Sequence, residues 1–468
     1  MTQLHPDRLF PASGPALKHA RGLYEAIAEL PIISPHGHTD PAWFADNRNF
    51  TDATSLFLIP DHYVLRMLRS QGISYEALGL ARKGVAPTVS GIDAWKLFAA
   101  NYHLLAGTPS ELWIGHAFHW AFGIDERLDS ANAERLYDAI TRRLADDDHK
   151  PLAVLDRANV EVIATTEFAL DPLEHHQVLK SKGLNRRIRT TYRPDDVTDP
   201  ANPHFIDNMR RFAEMTGEDV ASWNGMIAAH ARRRAFFRDH GATATDHGVP
   251  DALTADLNPH EKQALLDLAL KNQLDAKGKA LFRAQMMTEM AALSVEDGMV
   301  MQLHAGSKRN TDPWLMAEYG PNLGADIPAA GDFVHALQPL LARFGAASGF
   351  RLILFTLDET AYARELAPMA GYWPCLMIGP PWWFHDSPNG IRRYLDQVVE
   401  TAGYYNLAGF NDDTRALLSI PARHDVWRRE ICRFLGGLVA EHRLSASSAA
   451  AIARHLAYDA AKLAYRLE

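Results

Sequence analysis

The stretch "IISPHGHTDP" at residues 32–41 runs an apolar, β-favouring segment into two histidines set two apart. In an extended chain, residues i and i+2 share a face. His36 and His38 would then point the same way, at the spacing of neighbouring donors on one metal ion. The chain holds 22 histidines, so an H-x-H is also expected by chance. Taken alone, the stretch fits a pair of ordinary hydrogen-bonded histidines equally well.

Its surroundings carry the argument further. More short apolar or β-branched runs follow: "VEVIATTE" (160–167), "RIRTTYRP" (187–194), "ATATDHG" (242–248), "MVMQLHAG" (299–306), "LILFTLDE" (352–359), "CLMIGPP" (375–381) and "LAGFNDDTR" (407–415). Most end in a polar or ionisable cluster, and most are separated by segments of helical period, such as "ALFRAQMMTEMAALSVEDG" and "DFVHALQPLLARFG". Counting the first run, the pattern predicts an α/β chain folded as a (β/α)8 TIM-type barrel, with its chemistry at the strand C-termini. The competing doubly wound open sheet would favour a G-x-G-x-x-G turn after the first strand, and none is present.

A barrel takes about 250 residues, and the chain has 468. The surplus is placed mainly at 45–155, which is rich in helical patterning and aromatics ("AWKLFAANYHLL", "ELWIGHAFHWAFGI"). This predicts a helical insertion at 45–155 after the first strand, with 1–44 and 156–468 forming a discontinuous barrel. A smaller helical excursion is expected at 200–240.

With 47% hydrophobic and 22% charged residues the composition is that of an ordinary globular protein. A net charge of −9 argues against nucleic-acid binding. The densest basic run, "ARRRAFFR" at 231–238, is expected to be a solvated helix face with aromatics packed beneath it. An anionic substrate would have to be met by individually placed arginines. Cys375 and Cys432 are too few for a disulfide framework. The N-terminus lacks a signal-peptide apolar core, and no run approaches the ~20 apolar residues of a membrane span. The expectation is a cytoplasmic protein that binds neither membrane nor nucleic acid.

The H-x-H needs an acidic complement, and "GFNDDTR" offers Asp413, with Arg415 two residues on. An extended backbone there would aim both into the lumen, and the last strand of a closed barrel adjoins the first. His36, His38 and Asp413 would then leave open positions on one divalent ion such as Zn²⁺ or Mn²⁺. His304, ending "MVMQLH", is a further ligand, a group that hydrogen-bonds substrate, or a buried histidine paired to backbone. Arg193 and Arg415 sit at run ends, where an unpaired guanidinium is costly. Each can fork a carboxylate or pair with a structural Asp, such as Asp195 or Asp412. Arg309 and Asn310 make anion contacts or a solvated turn. Tyr63 can shuttle a proton, although packing explains it as well from pattern alone. Trp382 and Trp383 form a pocket wall or an anchor for their loop.

Together "PHGH" (35–38), "DHYVLRMLRSQG" (61–72), "ATTE" (164–167) with "LEHH" (173–176), "YRPD" (192–195), "LHAGSKRN" (303–310), "GPPWWFHD" (379–386) and "NDDTRALLSIPARHD" (411–425) occur in order along nearly the whole chain. In these motifs the chain resembles the uronate isomerases (glucuronate isomerases), a branch of the amidohydrolase superfamily. The resemblance implies a barrel enzyme interconverting D-glucuronate with D-fructuronate and D-galacturonate with D-tagaturonate. It further implies a metal on His36, His38 and Asp413, with His304, Arg193, Arg415 and Tyr63 lining the site and a homo-oligomeric assembly. One ion is expected, Zn²⁺ before Mn²⁺. No bridging lysine is evident at the fourth strand, and the sixth ends in Thr356, Leu357 and Asp358 rather than histidine. The segments "TDPAWF" and "TTEFALDP" depart from the family's commoner forms and bear on epimer preference. A metal-dependent amide or lactone hydrolase with the same ligands is the alternative.

Overall fold

The computed structural model describes residues 4–467. The chain divides into two compact units. One comprises the chain up to Glu161 with Lys308–Ile327 and Asp412–Ala453; the other comprises Val162–Ser307, Pro328–Asn411 and the chain from Arg454 onward.

The second unit carries the parallel sheet. Ala244–Val249 pairs with Val300–Ala305 from Ala244 opposite Val300 to Val249 opposite Ala305. Val300–Ala305 pairs on its other side with Leu352–Thr356, which pairs with Leu376–Ile378. Ile378 adds a parallel bridge to Leu407. On the far side Tyr192–Arg193 joins Thr245 to Glu167–Phe168, and Ile163 and Ala164 pair with Ile188 and Arg189. The short pieces form a continuous ladder, since Thr165 N donates to Arg189 O and Glu167 N to Thr191 O. Each predicted run therefore contains strand or bridge residues, and the pairings described between these runs are parallel.

Parallel neighbours need long crossovers, and helices supply them. Phe205–Thr216 and Trp223–Asp239 precede Ala244–Val249, while Pro259–Leu270 and Ala276–Asp297 precede Val300–Ala305. Their starts are written in the sequence: Ser222, Asn258 and Asp275 each accept a backbone N–H of the first turn. Ala276–Asp297 ends at Gly298, whose φ of +77° lets the chain reverse into the next strand. Every residue of Val300–Ala305 is buried, as expected for a strand covered on both faces.

In the first unit the strand Ile32–Ser34 is followed by helices that include Ala53–Phe57, His62–Ser70, Gly91–Ala100, Pro109–Phe122 and Ala133–Leu144. Phe57, Trp95, Phe98 and Phe118 are buried among them, with Phe57 edge-on to Phe118 at 5.2 Å. The helix Gly14–Ile27 packs on Ile420–Ala440 so closely that a Cβ on Gly436 would lie 2.8 Å from Ala20 N. Among the described residues no helix is long and apolar enough to cross a membrane.

Two local expectations are corrected. "ARRRAFFR" is not simply a solvated face: Arg234 is fully buried, pairing with Asp297 at 2.7 Å, and Arg233 donates to the carbonyls of Ala169 and Asp171. A guanidinium can enter the core when a carboxylate or backbone carbonyls meet it there, as Asp297 meets Arg234 through Nε and NH2. Nor is the backbone extended at Asp413. Its φ is +41°, so Asp413 is aimed by a left-handed turn rather than by strand alternation.

Candidate active site

Within the first unit the strand stops at Ser34, and His36 and His38 follow in the loop beyond it. His38 N donates to Thr414 O at 3.1 Å, which joins this loop to the segment holding Asp413. Asp413 Oδ1 lies 3.3 Å from His38 Nε2 and 3.6 Å from His36 Nε2. That carboxylate oxygen is buried and accepts no hydrogen bond. Buried polar atoms are normally satisfied, and a cation would satisfy this one. The two distances from the carboxylate oxygen also suit shared coordination, because tetrahedral bonds of about 2.0–2.1 Å put neighbouring donors about 3.3–3.4 Å apart. His36, His38 and Asp413 can therefore hold a divalent ion. The positive φ at Asp413 is the kind of backbone strain that accumulates at functional sites.

Next to Tyr63, the ring of His62 stacks on it at 4.8 Å. Burial pushes the His62 imidazole down to about 3, and the charges of Arg415, Arg423, Arg66 and Arg309 push it the same way. Arg415 and Arg309 thus contribute to one positive neighbourhood, suited to an anion. Arg309 also faces Asp326 at 3.6 Å. Tyr63 packs edge-on to Trp113 at 5.7 Å.

In the second unit His304 Nδ1 meets Asp246 Oδ1 at 2.6 Å. The ring of His304 stacks on Phe355 at 4.0 Å and meets Trp382 edge-on at 4.7 Å. Arg193 is held by two carboxylates, Asp195 at 2.7 Å and Asp246 at 3.0 Å. It reaches them over Gly248, where a Cβ would lie 1.8 Å from the guanidinium NH2. Trp383 lies face to face with Phe384 at 5.0 Å. Asp246 is the residue that sequence reasoning missed. Its signal was present, an ionisable side chain at the end of "ATATDHG", but only the pairing of neighbouring strands shows that it serves both His304 and Arg193.

The sequence profile described as glucuronate isomerase matches residues 16–465. The chain belongs to the glucuronate isomerase family. A uronate isomerase of Xanthomonas oryzae pv. oryzae is 54% identical over 465 residues, covering 99% of this chain and 98% of that relative. Among solved structures, a glucuronate isomerase from Caulobacter crescentus superposes with a TM-score of 0.98 at 49% identity, covering 99% of this chain and 97% of that one. A uronate isomerase from Thermotoga maritima superposes at 0.91 with 26% identity, covering 99% of both chains. The α/β fold with parallel sheets is thus that of glucuronate isomerases, and the implied resemblance holds over essentially the full length.

Proposed function

We propose that this chain is a uronate isomerase, exchanging the aldose and ketose forms of hexuronates: D-glucuronate with D-fructuronate and D-galacturonate with D-tagaturonate. The observation that carries the proposal is the buried Asp413 oxygen facing two imidazole nitrogens, in a chain matched from end to end by this family. The parallel strands are read as staves of a (β/α)8 barrel, with 45–155 as its helical insertion. The ion is zinc or manganese, and the enzyme works in the cytoplasm as a homo-oligomer.

The reaction moves hydrogen from C2 to C1 while the two oxygens exchange carbonyl and hydroxyl roles. His36, His38 and Asp413 would hold a divalent ion, which when bound would supply Lewis-acid polarisation of the substrate. Asp413 takes the C2 proton, giving a cis-enediol, and after exchange with solvent delivers a proton to C1 on the same face. Tyr63 carries the hydroxyl proton between O2 and O1. Arg415 offsets the negative charge that develops on those oxygens. His304, with Nδ1 committed to Asp246, presents Nε2 to the substrate. Arg193 and Arg309 hold the C6 carboxylate, and Trp382 and Trp383 wall the sugar.

The test is turnover of D-glucuronate, D-galacturonate and neutral aldoses after chelation and metal add-back, with D-glucuronate also run in deuterated water. Expected are metal-dependent activity confined to the uronates and deuterium at C1 of the ketose. Activity on neutral aldoses equal to that on uronates would overturn the substrate assignment. A hydrolase would instead incorporate water oxygen into a cleaved product.

A further inference from the structure

Asp412 immediately precedes Asp413 and is tied at two points to the helix Ile420–Ala440. His424 Nε2 lies 3.1 Å from Asp412 Oδ2, and Arg423 donates through NH1 to Asp412 O at 3.3 Å. All three residues are buried. The carbonyl that Arg423 holds belongs to the peptide joining Asp412 to Asp413. Rotating that peptide plane is rotation about φ of Asp413, the angle that stands at +41°. The left-handed region is disfavoured for residues that carry a Cβ, less so for Asp than for most, and neighbouring contacts help to hold it there.

Arg423 is itself immobilised. Its guanidinium carbon sits 3.6 Å from the ring centre of Trp113 and 5.9 Å from that of Tyr63. One guanidinium therefore bears on the peptide that aims Asp413 and on the ring of Tyr63. A planar fork can stack on an aromatic face and donate in its own plane at once, which an ammonium cannot. One turn beyond His424, Arg428 donates to the carbonyls of Ala28, Leu30 and Pro31, at 2.6, 2.6 and 3.0 Å. Those residues lead into Ile32–Ser34 and on to His36. The same helix thus grips both chain segments that carry the donors.

We infer that Arg423 and His424 are positioning residues, which clamp the peptide before Asp413 so that its carboxylate faces His36 and His38 and stays in register with Tyr63. The inference rests on the reading of His36, His38 and Asp413 as a metal centre. Neither residue touches the reacting atoms; each acts through Asp412 or Tyr63.

The experiment compares the full-length chain with Arg423→Lys, His424→Leu and His424→Gln. Zn²⁺ affinity is measured by competition with a chromogenic chelator, the visible spectrum is recorded with Co²⁺ bound, and kcat and KM are measured on D-glucuronate. Arg423→Lys and His424→Leu are expected to weaken Zn²⁺ binding by about 10–100-fold, shift the Co²⁺ bands, and lower kcat with little change in KM. His424→Gln returns an N–H to Asp412 and should recover most of the affinity. If His424→Leu fails to fold, Arg423→Lys and His424→Gln carry the comparison. Folded variants with wild-type Zn²⁺ affinity and wild-type Co²⁺ spectra would overturn the inference, whatever their turnover. A wild-type chain that binds neither ion overturns the metal reading beneath it. A wild-type chain that binds both but isomerises no uronate sinks the proposed reaction while leaving the metal comparison valid.

Discussion

Asp246 accepts from His304 Nδ1 at 2.6 Å, and both side chains are almost completely buried. A buried carboxylate on Nδ1 sets the imidazole's tautomer and leaves Nε2 as the atom that meets substrate. Asp246→Asn keeps the shape and removes the charge. It should lower kcat by about 100-fold and move the pH–rate profile. Arg193 retains Asp195 in that variant, so circular dichroism should show an intact fold. An unchanged pH profile would argue against the His304 assignment.

Asp413 combines a catalytic assignment with a left-handed backbone, and the two can be separated by substitution. Asn enters that backbone region about as readily as Asp. Asp413→Asn should therefore hold its melting temperature while losing at least about 100-fold in turnover. Asp413→Ala should lose turnover and also about 1 kcal/mol of stability. Thermal melts beside steady-state assays check both. Near-normal turnover in Asp413→Asn would remove its role as base.

Gly248 is the opening through which Arg193 reaches its carboxylates. A Cβ there would meet Arg193 NH2 at 1.8 Å and Asp195 Oδ2 at 3.1 Å. Gly248→Ala should push the guanidinium aside and raise KM for D-glucuronate by about tenfold or more. The kcat on D-glucuronate should change much less than KM. If kcat falls while KM stays at its wild-type value, Arg193 has another role.

Burial, helped by the nearby Arg8 and Arg429, pushes His116 down to about 4 against the opposing pull of Asp425. Burial likewise pushes His247 down to about 4. Both imidazoles bind more protons in the unfolded chain, so their contribution to stability is complete above about pH 6.5. It declines as pH falls below that value, and the loss ends near the folded-state values. Melting temperature should be flat from pH 7 to 8 and drop steadily toward pH 4. Replacing His116 with Asn should make that slope shallower, which a pH series of thermal melts would detect.

Much of the architecture was legible because its determinants are local. Strand periodicity, the capping residues Ser222, Asn258 and Asp275, and Gly298 after a long helix are properties of a few neighbouring residues, and they marked where elements begin and end. The buried Arg233 and Arg234 were misjudged for the converse reason. Their acceptors lie about 60 residues away, with Arg234 N–H groups meeting Asp297 and Arg233 meeting Ala169 and Asp171, and no window on the sequence displays such a pairing.

The candidate centre divides along the same line. The sequence by itself determined the chemistry on offer: two histidines beyond a strand, an acid and an arginine at the end of the last run, and motifs in family order. Only the tertiary structure decided how Asp413 points. The extended backbone expected there gave way to a left-handed turn, because Arg423 and His424, ten or more residues on, hold the peptide before it. Side-chain type is a local fact, but a strained dihedral persists only where distant contacts outweigh its cost.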